Sequence, residues 1–273
     1  MSKIKQTIAT AKADGRKLLI PYLVAGDPSL SISLQLMHEL VRAGSDIIEL
    51  GIPFSDPSSD GEVIQLGAER ALAAGTTLSS VLQLVAEFRQ QNNTTPVVLM
   101  GYLNPVEVMG YEAFVGEASK VGVDGVLLVD MPPSESVNLA RLLEGLDMDL
   151  IFLVAPTTSD QRTRLICERA SGYLYYVSLK GVTGASITDT GSIAKKVAEL
   201  RQITQLPIVI GFGIKDEDSA AAMAELADGV VIGSALVSRI DQLEVIEGCV
   251  DSNALSQTVA FITSIRKRLD NLK

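Results

Sequence analysis

Asp46-Ile47-Ile48-Glu49-Leu50-Gly51-Ile52-Pro53-Phe54-Ser55-Asp56-Pro57-Ser58-Ser59-Asp60-Gly61 begins as an apolar run and stops on a loop of glycine, proline and acids. Residues 46–50 read as a buried strand that Gly51 and Pro53 terminate. A carboxylate at position 49 then points into the mouth of a sheet or barrel, where burial raises its pKa towards neutrality. Asp60 follows on a loop, and two carboxylates in unlike surroundings are what paired acid and base chemistry requires. Taken alone, Glu49 reads equally well as a strand-end acid that caps a helix or a loop.

The same unit, an apolar run followed by a small-residue loop, recurs along the chain. Strand-length apolar runs occupy 18–24, 46–50, 97–100, 125–129, 150–154, 173–177, 208–210 and 229–232. Between them, segments 31–42, 78–90, 112–121, 134–144, 159–169, 192–202 and 217–226 place apolar residues at helical spacing. Near-continuous apolar strands mean a sheet covered on both faces, hence parallel strands joined by helices. Eight such units in 273 residues predict an α/β fold, a single (β/α)8 TIM barrel with an additional N-terminal helix. A doubly wound open sheet is the alternative, but it uses fewer strands in this length. No linker, low-complexity tract or charge block divides the chain, so 1–273 is expected to form one domain.

Composition narrows the function. A 47% hydrophobic chain of this length buries roughly three quarters of its unfolded surface. A net charge of −10 argues against nucleic acid or an anionic membrane as partner. The apolar runs are too short to span a bilayer, and Met1-Ser2-Lys3-Ile4-Lys5-Gln6 shows no signal region. Cys167 and Cys249 stand far apart, as reduced cytoplasmic thiols do. The only histidine, His38, lies inside a helical pattern, at the surface or its boundary. That leaves no His/Cys cluster for zinc and no base for a Ser or Cys nucleophile. Acid–base work falls to carboxylates, tyrosine or lysine.

In a barrel the site lies at the C-terminal ends of the strands. The last two strands end in Gly211-Phe212-Gly213 and Gly233-Ser234. Glycines there let backbone N–H groups approach an anion, and a short helix from Ser234 would aim its positive end at a phosphate. As plain strand-to-helix turns they would also be unremarkable. After the sixth run, Ser178 to Thr190 is long enough to be a lid, with Thr183 able to reach a carboxylate. Lys180 on that loop raises a Schiff-base aldolase, but a solvated loop lysine is the better reading. Tyr22, Met100, Tyr102, Leu127, Val129, Leu153 and Tyr175 lie within or just beyond strand ends. Some must fill the barrel, and the upper ones suit an apolar pocket for a planar ring.

These stretches, in order from about residue 17 to 240, together resemble the tryptophan synthase α-subunit family. The matching motifs are Ile20-Pro21-Tyr22, Ala25-Gly26-Asp27-Pro28, Glu49 to Pro57, Asp60-Gly61, Tyr102, Asn104-Pro105, Gly181 to Ala185, Gly211 to Ile214 and Gly233-Ser234-Ala235. The resemblance implies retro-aldol cleavage of indole-3-glycerol phosphate to indole and glyceraldehyde 3-phosphate. Indole would pass to a β subunit in an α2β2 heterotetramer. It assigns proton transfer to Glu49 and stabilisation of the ring N–H to Asp60. Tyr22, Met100, Tyr102, Leu127, Val129, Leu153, Tyr175 and Thr183 would surround the substrate. Gly184, Phe212, Gly213, Gly233 and Ser234 would hold its phosphate. Pro53, Phe54, Asp56, Pro57, Ser58 and Asn104 would meet the partner. No cofactor or metal is implied, because the ring protonated at C3 is itself an iminium electron sink.

The chain departs from the family pattern at Ser58, Ser59, Glu62 and Val24, where an apolar residue, alanine, proline and threonine are usual. Two alternatives to the α-subunit role remain at this stage. One is a free-standing indole-3-glycerol phosphate lyase; the other is a non-catalytic, phosphate-binding activator subunit.

Overall fold

The computed structural model describes residues 1–177, 190–211, 213–243, 245–246 and 249–272. Eight parallel strands pair in chain order: β1 Leu18–Val24, β2 Ile48–Gly51, β3 Val97–Gly101, β4 Gly125–Leu128, β5 Asp149–Val154, β6 Leu174–Val177, β7 Ile208–Gly211 and β8 Gly229–Ile232. β8 pairs back onto β1, with Leu18 opposite Gly229, and so closes the barrel. Side chains alternate between two apolar layers. In β1, Leu19 and Leu23 face the helices, whereas Leu18, Ile20, Tyr22 and Val24 fill the interior with Val98, Leu127, Ile151, Tyr173, Tyr175, Val209 and Val231.

The helices are α1 Lys3–Ala13, whose Ile4, Ile8 and Ala11 join the interior layer, and α2 Leu30–Arg42, α3 Glu62–Ala73, α4 Leu78–Arg89, α5 Leu103–Met109, α6 Tyr111–Val121, α7 Val137–Glu144, α8 Asp160–Arg169, α9 Thr190–Ile203, α10 Glu217–Leu226, α11 Ser234–Ile240 and α12 Ser252–Asp270. The expected N-terminal helix is α1, capped by the Ser2 side chain. A two-stranded antiparallel pair, β9 Val245–Ile246 and β10 Cys249–Val250, precedes α12. Neither that pair nor α12, which packs against α10 and α2, was expected from the sequence. No single helix among the described residues is long and apolar enough to cross a membrane.

Several sequence-based boundaries shift, two of them for identifiable reasons. Asp46 stands ahead of β2 because its carboxylate reaches back to β1, and Tyr173 stands one residue ahead of β6. The helix expected from 134 begins at Val137, since Pro132 to Ser136 form a turn closed by the Ser136 hydroxyl on the Pro133 carbonyl at 2.9 Å.

The N-terminal face carries a fourfold repeat. The residue leading into each even strand clasps one residue of the odd strand before it, giving its N–H to that residue's carbonyl and taking that residue's N–H on its side-chain oxygen. The pairs are Asp46 with Leu19, Asp124 with Val97, Ser171 with Leu150 and Asp228 with Ile208, with all eight bonds between 2.8 and 2.9 Å. Cations complete three of them: Arg16 and Arg266 on Asp46, Arg89 and Lys3 on Asp124, Arg201 on Asp228.

Candidate active site

At the opposite end, Glu49 projects from β2 into the barrel and is 0% exposed. The Tyr173 hydroxyl donates to its Oε1 at 2.5 Å, and Oε2 has no partner among the described residues. Burial pushes this carboxyl up to about 7, and the bond from Tyr173 only partly opposes the rise. At neutral pH the protonated and ionised forms are therefore both populated.

Asp60 lies on the loop between β2 and α3. It is half-buried, and its Oδ2 accepts the Tyr102 hydroxyl at 3.0 Å. Burial raises its carboxyl as well, with the Tyr102 bond acting against the shift. The Tyr102 oxygen also takes the Ser59 N–H at 3.0 Å, and its ring stacks on Phe54 with centroids 5.4 Å apart. Gln65, in the first turns of α3, holds the Asp60 carbonyl at 2.8 Å. Glu62 opens α3 as an exposed acid in its first turn, where it favours the helix dipole.

The two carboxylates bear on the same phenols. Tyr22 and Tyr175 stay protonated far above their ordinary range, first through burial and then through the charges of Asp60 and Glu49. Both rings need a glycine beside them. A β-carbon on Gly51 would lie 2.3 Å from the Tyr22 hydroxyl, and one on Gly211 would lie 2.0 Å from that of Tyr175. Of the other expected pocket residues, Leu127 is buried, whereas Met100, Val129 and Leu153 are half-buried and pack on the interior cluster. Gly213 adopts a left-handed φ of +76°, and Gly233 caps α11, which Ser234 begins.

Thr183, Gly184 and Phe212, with Lys180 and residues 178–189 of the expected lid, lie outside the described residues, while Thr190 opens α9. On the expected partner face, Asp56, Ser58 and Asn104 are exposed and Phe54 and Pro57 half-buried, while Pro53 is buried within the chain. Among the described residues no group of three His, Cys, Asp or Glu side chains is arranged to hold a metal ion.

A barrel with a fully buried glutamate at its C-terminal mouth is matched by a family model. The tryptophan synthase alpha chain model covers residues 8–264. The chain belongs to that family. The tryptophan synthase alpha chain of Marinobacter nauticus is 50% identical over 273 residues, covering 100% of this chain and 99% of its own. A tryptophan synthase subunit alpha structure from Legionella pneumophila superposes with a TM-score of 0.90 at 41% identity, covering 100% of both chains. A chain from a structure titled as the tryptophan synthase α2β2 complex of Pyrococcus furiosus superposes with a TM-score of 0.83 at 34% identity, covering 92% of this chain and 98% of its own.

For an alpha chain, two features of the site were not anticipated. Tyr173 was assigned to a strand but given no role, although its two-residue spacing from Tyr175 places both rings on the inner face. The Tyr102–Asp60 bond joins positions 42 apart in sequence, a distance no local pattern encodes.

Proposed function

We propose that Glu49 and Asp60 together run the cleavage of indole-3-glycerol phosphate, the reaction of the tryptophan synthase alpha chain family. The protonated form of Glu49 delivers a proton to C3 of the indole ring, which becomes an iminium. The resulting carboxylate removes the proton of the hydroxyl on the adjoining side-chain carbon. The C3–carbon bond then breaks, its electron pair restores the aromatic ring, and the side chain leaves as the aldehyde of glyceraldehyde 3-phosphate. One proton is gained at C3 and one is lost from the hydroxyl. Asp60 accepts the ring N–H and stabilises the positive charge while it lasts.

The observation that carries this reading is Glu49 itself, buried with no cation among the described residues and with its carboxyl pushed up to about 7, as a residue serving as acid and then base requires. Oε2 is the oxygen left for substrate. Gly213, Gly233 and Ser234, with Gly184 and Phe212, would hold the phosphate. Tyr22, Met100, Tyr102, Leu127, Val129, Leu153, Tyr175 and Thr183 would enclose the ring.

The whole chain acts as one cytoplasmic catalytic domain and hands indole to a β subunit in an α2β2 assembly. Phe54, Asp56, Pro57, Ser58 and Asn104 form the docking face. The stack of Phe54 on Tyr102 gives docking a physical route to Asp60. The test is indole release by the full chain with and without a β subunit. Slow release alone and at least ten-fold acceleration by the partner are expected. No release under either condition would leave only an activator role, and equal rates would leave a free-standing lyase.

A further inference from the structure

Arg70 stands outside the reaction described above but ties its own helix, α3, to two other elements that frame the site. Its Nε and Nη2 each bond one oxygen of Asp27, both at 2.8 Å, and its Nη1 reaches Asp241 at 2.7 Å. Asp27 sits on the loop after β1 and is 1% exposed; Asp241 terminates α11 and is 53% exposed. One guanidinium thus spends its planar fork on a buried carboxylate and its remaining arm on a second one. One turn earlier on the same helix face, Gly67 lets the elements meet at backbone distance. A β-carbon there would lie 2.9 Å from the Asp27 carboxylate and 3.2 Å from Val237 of α11.

What hangs on each arm gives the contact its meaning. α3 begins two residues after Asp60, and its Gln65 side chain holds the carbonyls of both Asp60 and Pro57. α11 begins at Ser234, beside Gly233, at the phosphate end of the proposed site. It is only seven residues long, about 10 Å, so a shift at Asp241 is carried to Ser234 as a rigid displacement. We propose that Arg70 is a positioning residue that fixes the spacing between the Asp60 loop and the phosphate-binding turn through Asp27 and Asp241. The phosphate then helps to place Asp60, although the two lie on different strands' loops. This proposal rests on the phosphate assignment made above.

The experiment uses the full chain and two variants. Asp241→Asn weakens only the exposed arm, and Arg70→Lys keeps the charge but loses the fork. Three quantities are measured well below each melting temperature: the Kd for glycerol 3-phosphate, and kcat and KM for cleavage. Asp241→Asn is expected to raise Kd and KM about five-fold with the melting temperature and kcat nearly unchanged. Arg70→Lys is expected to raise both and also to lower kcat about ten-fold, because the Asp60 loop is released as well. Wild-type kcat, KM and Kd in both variants, even with lowered melting temperatures, would make the triad a structural brace and overturn the proposal. Failure of the wild-type chain to bind glycerol 3-phosphate would instead overturn the phosphate assignment.

Discussion

Asp124 and Glu49 are both buried carboxylates in the same barrel, at opposite ends. Asp124 takes a backbone N–H from Val97, a 2.6 Å bond from Arg89 and the charge of Lys3. Among the described residues Glu49 takes one phenol and no cation. At the N-terminal face each carboxylate is matched, so burial costs little and the charge holds strands together. At the C-terminal face the mismatch is left standing, and the unrelieved burial makes a proton mobile near pH 7. A carboxylate's partners, more than its burial, decide whether it is a rivet or a reagent.

The sharpest way to break this contrast is to neutralise Glu49. Glu49→Gln should lower cleavage by ~10²–10⁴-fold while glycerol 3-phosphate binding persists, since one group serves both proton transfers. A residual rate above a tenth would remove Glu49 from that role. The same variant should show what the mismatch costs. Because the folded carboxyl sits near 7 instead of 4.5, the native state holds the extra proton between those values. Wild-type stability should therefore be full below pH 4.5 as far as this group is concerned, and fall by about 3 kcal/mol as pH rises to 7. Urea titrations at pH 5 and 8 should find that decline much reduced in Glu49→Gln.

At the other end the outcome should reverse. Asp124→Ala leaves Arg89, itself 8% exposed, without its counter-charge and opens the clasp on Val97. Unfolding should become easier by roughly 3–5 kcal/mol, with kcat of the folded enzyme preserved. A large loss of kcat with unchanged stability would contradict the division between the two faces.

The smallest change is Tyr173→Phe, which removes the donor to Oε1 of Glu49. That bond favours the ionised carboxyl, so its loss should move the governing pKa of the pH–rate profile upward. The rate at pH 7 should drop roughly ten-fold or less. An unmoved profile would mean that the phenol only fills space.

How much of this was readable in sequence follows the same division. The eight strands were legible because burial on both faces leaves near-continuous apolar runs, as in Leu18–Val24. Glu49 was legible because it interrupts such a run just before Gly51. Arg70 and Arg89 were not, since their partners lie 43 and 35 positions away and become neighbours only when the barrel closes. α12 was missed because it covers the outside of a barrel already complete without it.

The fourfold clasp also bears on the order in which the barrel can assemble. Asp46–Leu19 and Asp124–Val97 each close a loop of 27 residues, Ser171–Leu150 one of 21 and Asp228–Ile208 one of 20. Joining β1 to β8 spans far more chain, as the Lys17–Ala227 bond at that seam shows with a separation of 210. On loop-closure entropy alone that seam costs about 2 kcal/mol more than a 27-residue closure. The molecule is thus four short-range modules, each able to fasten itself, and a ring whose last joint is its most expensive.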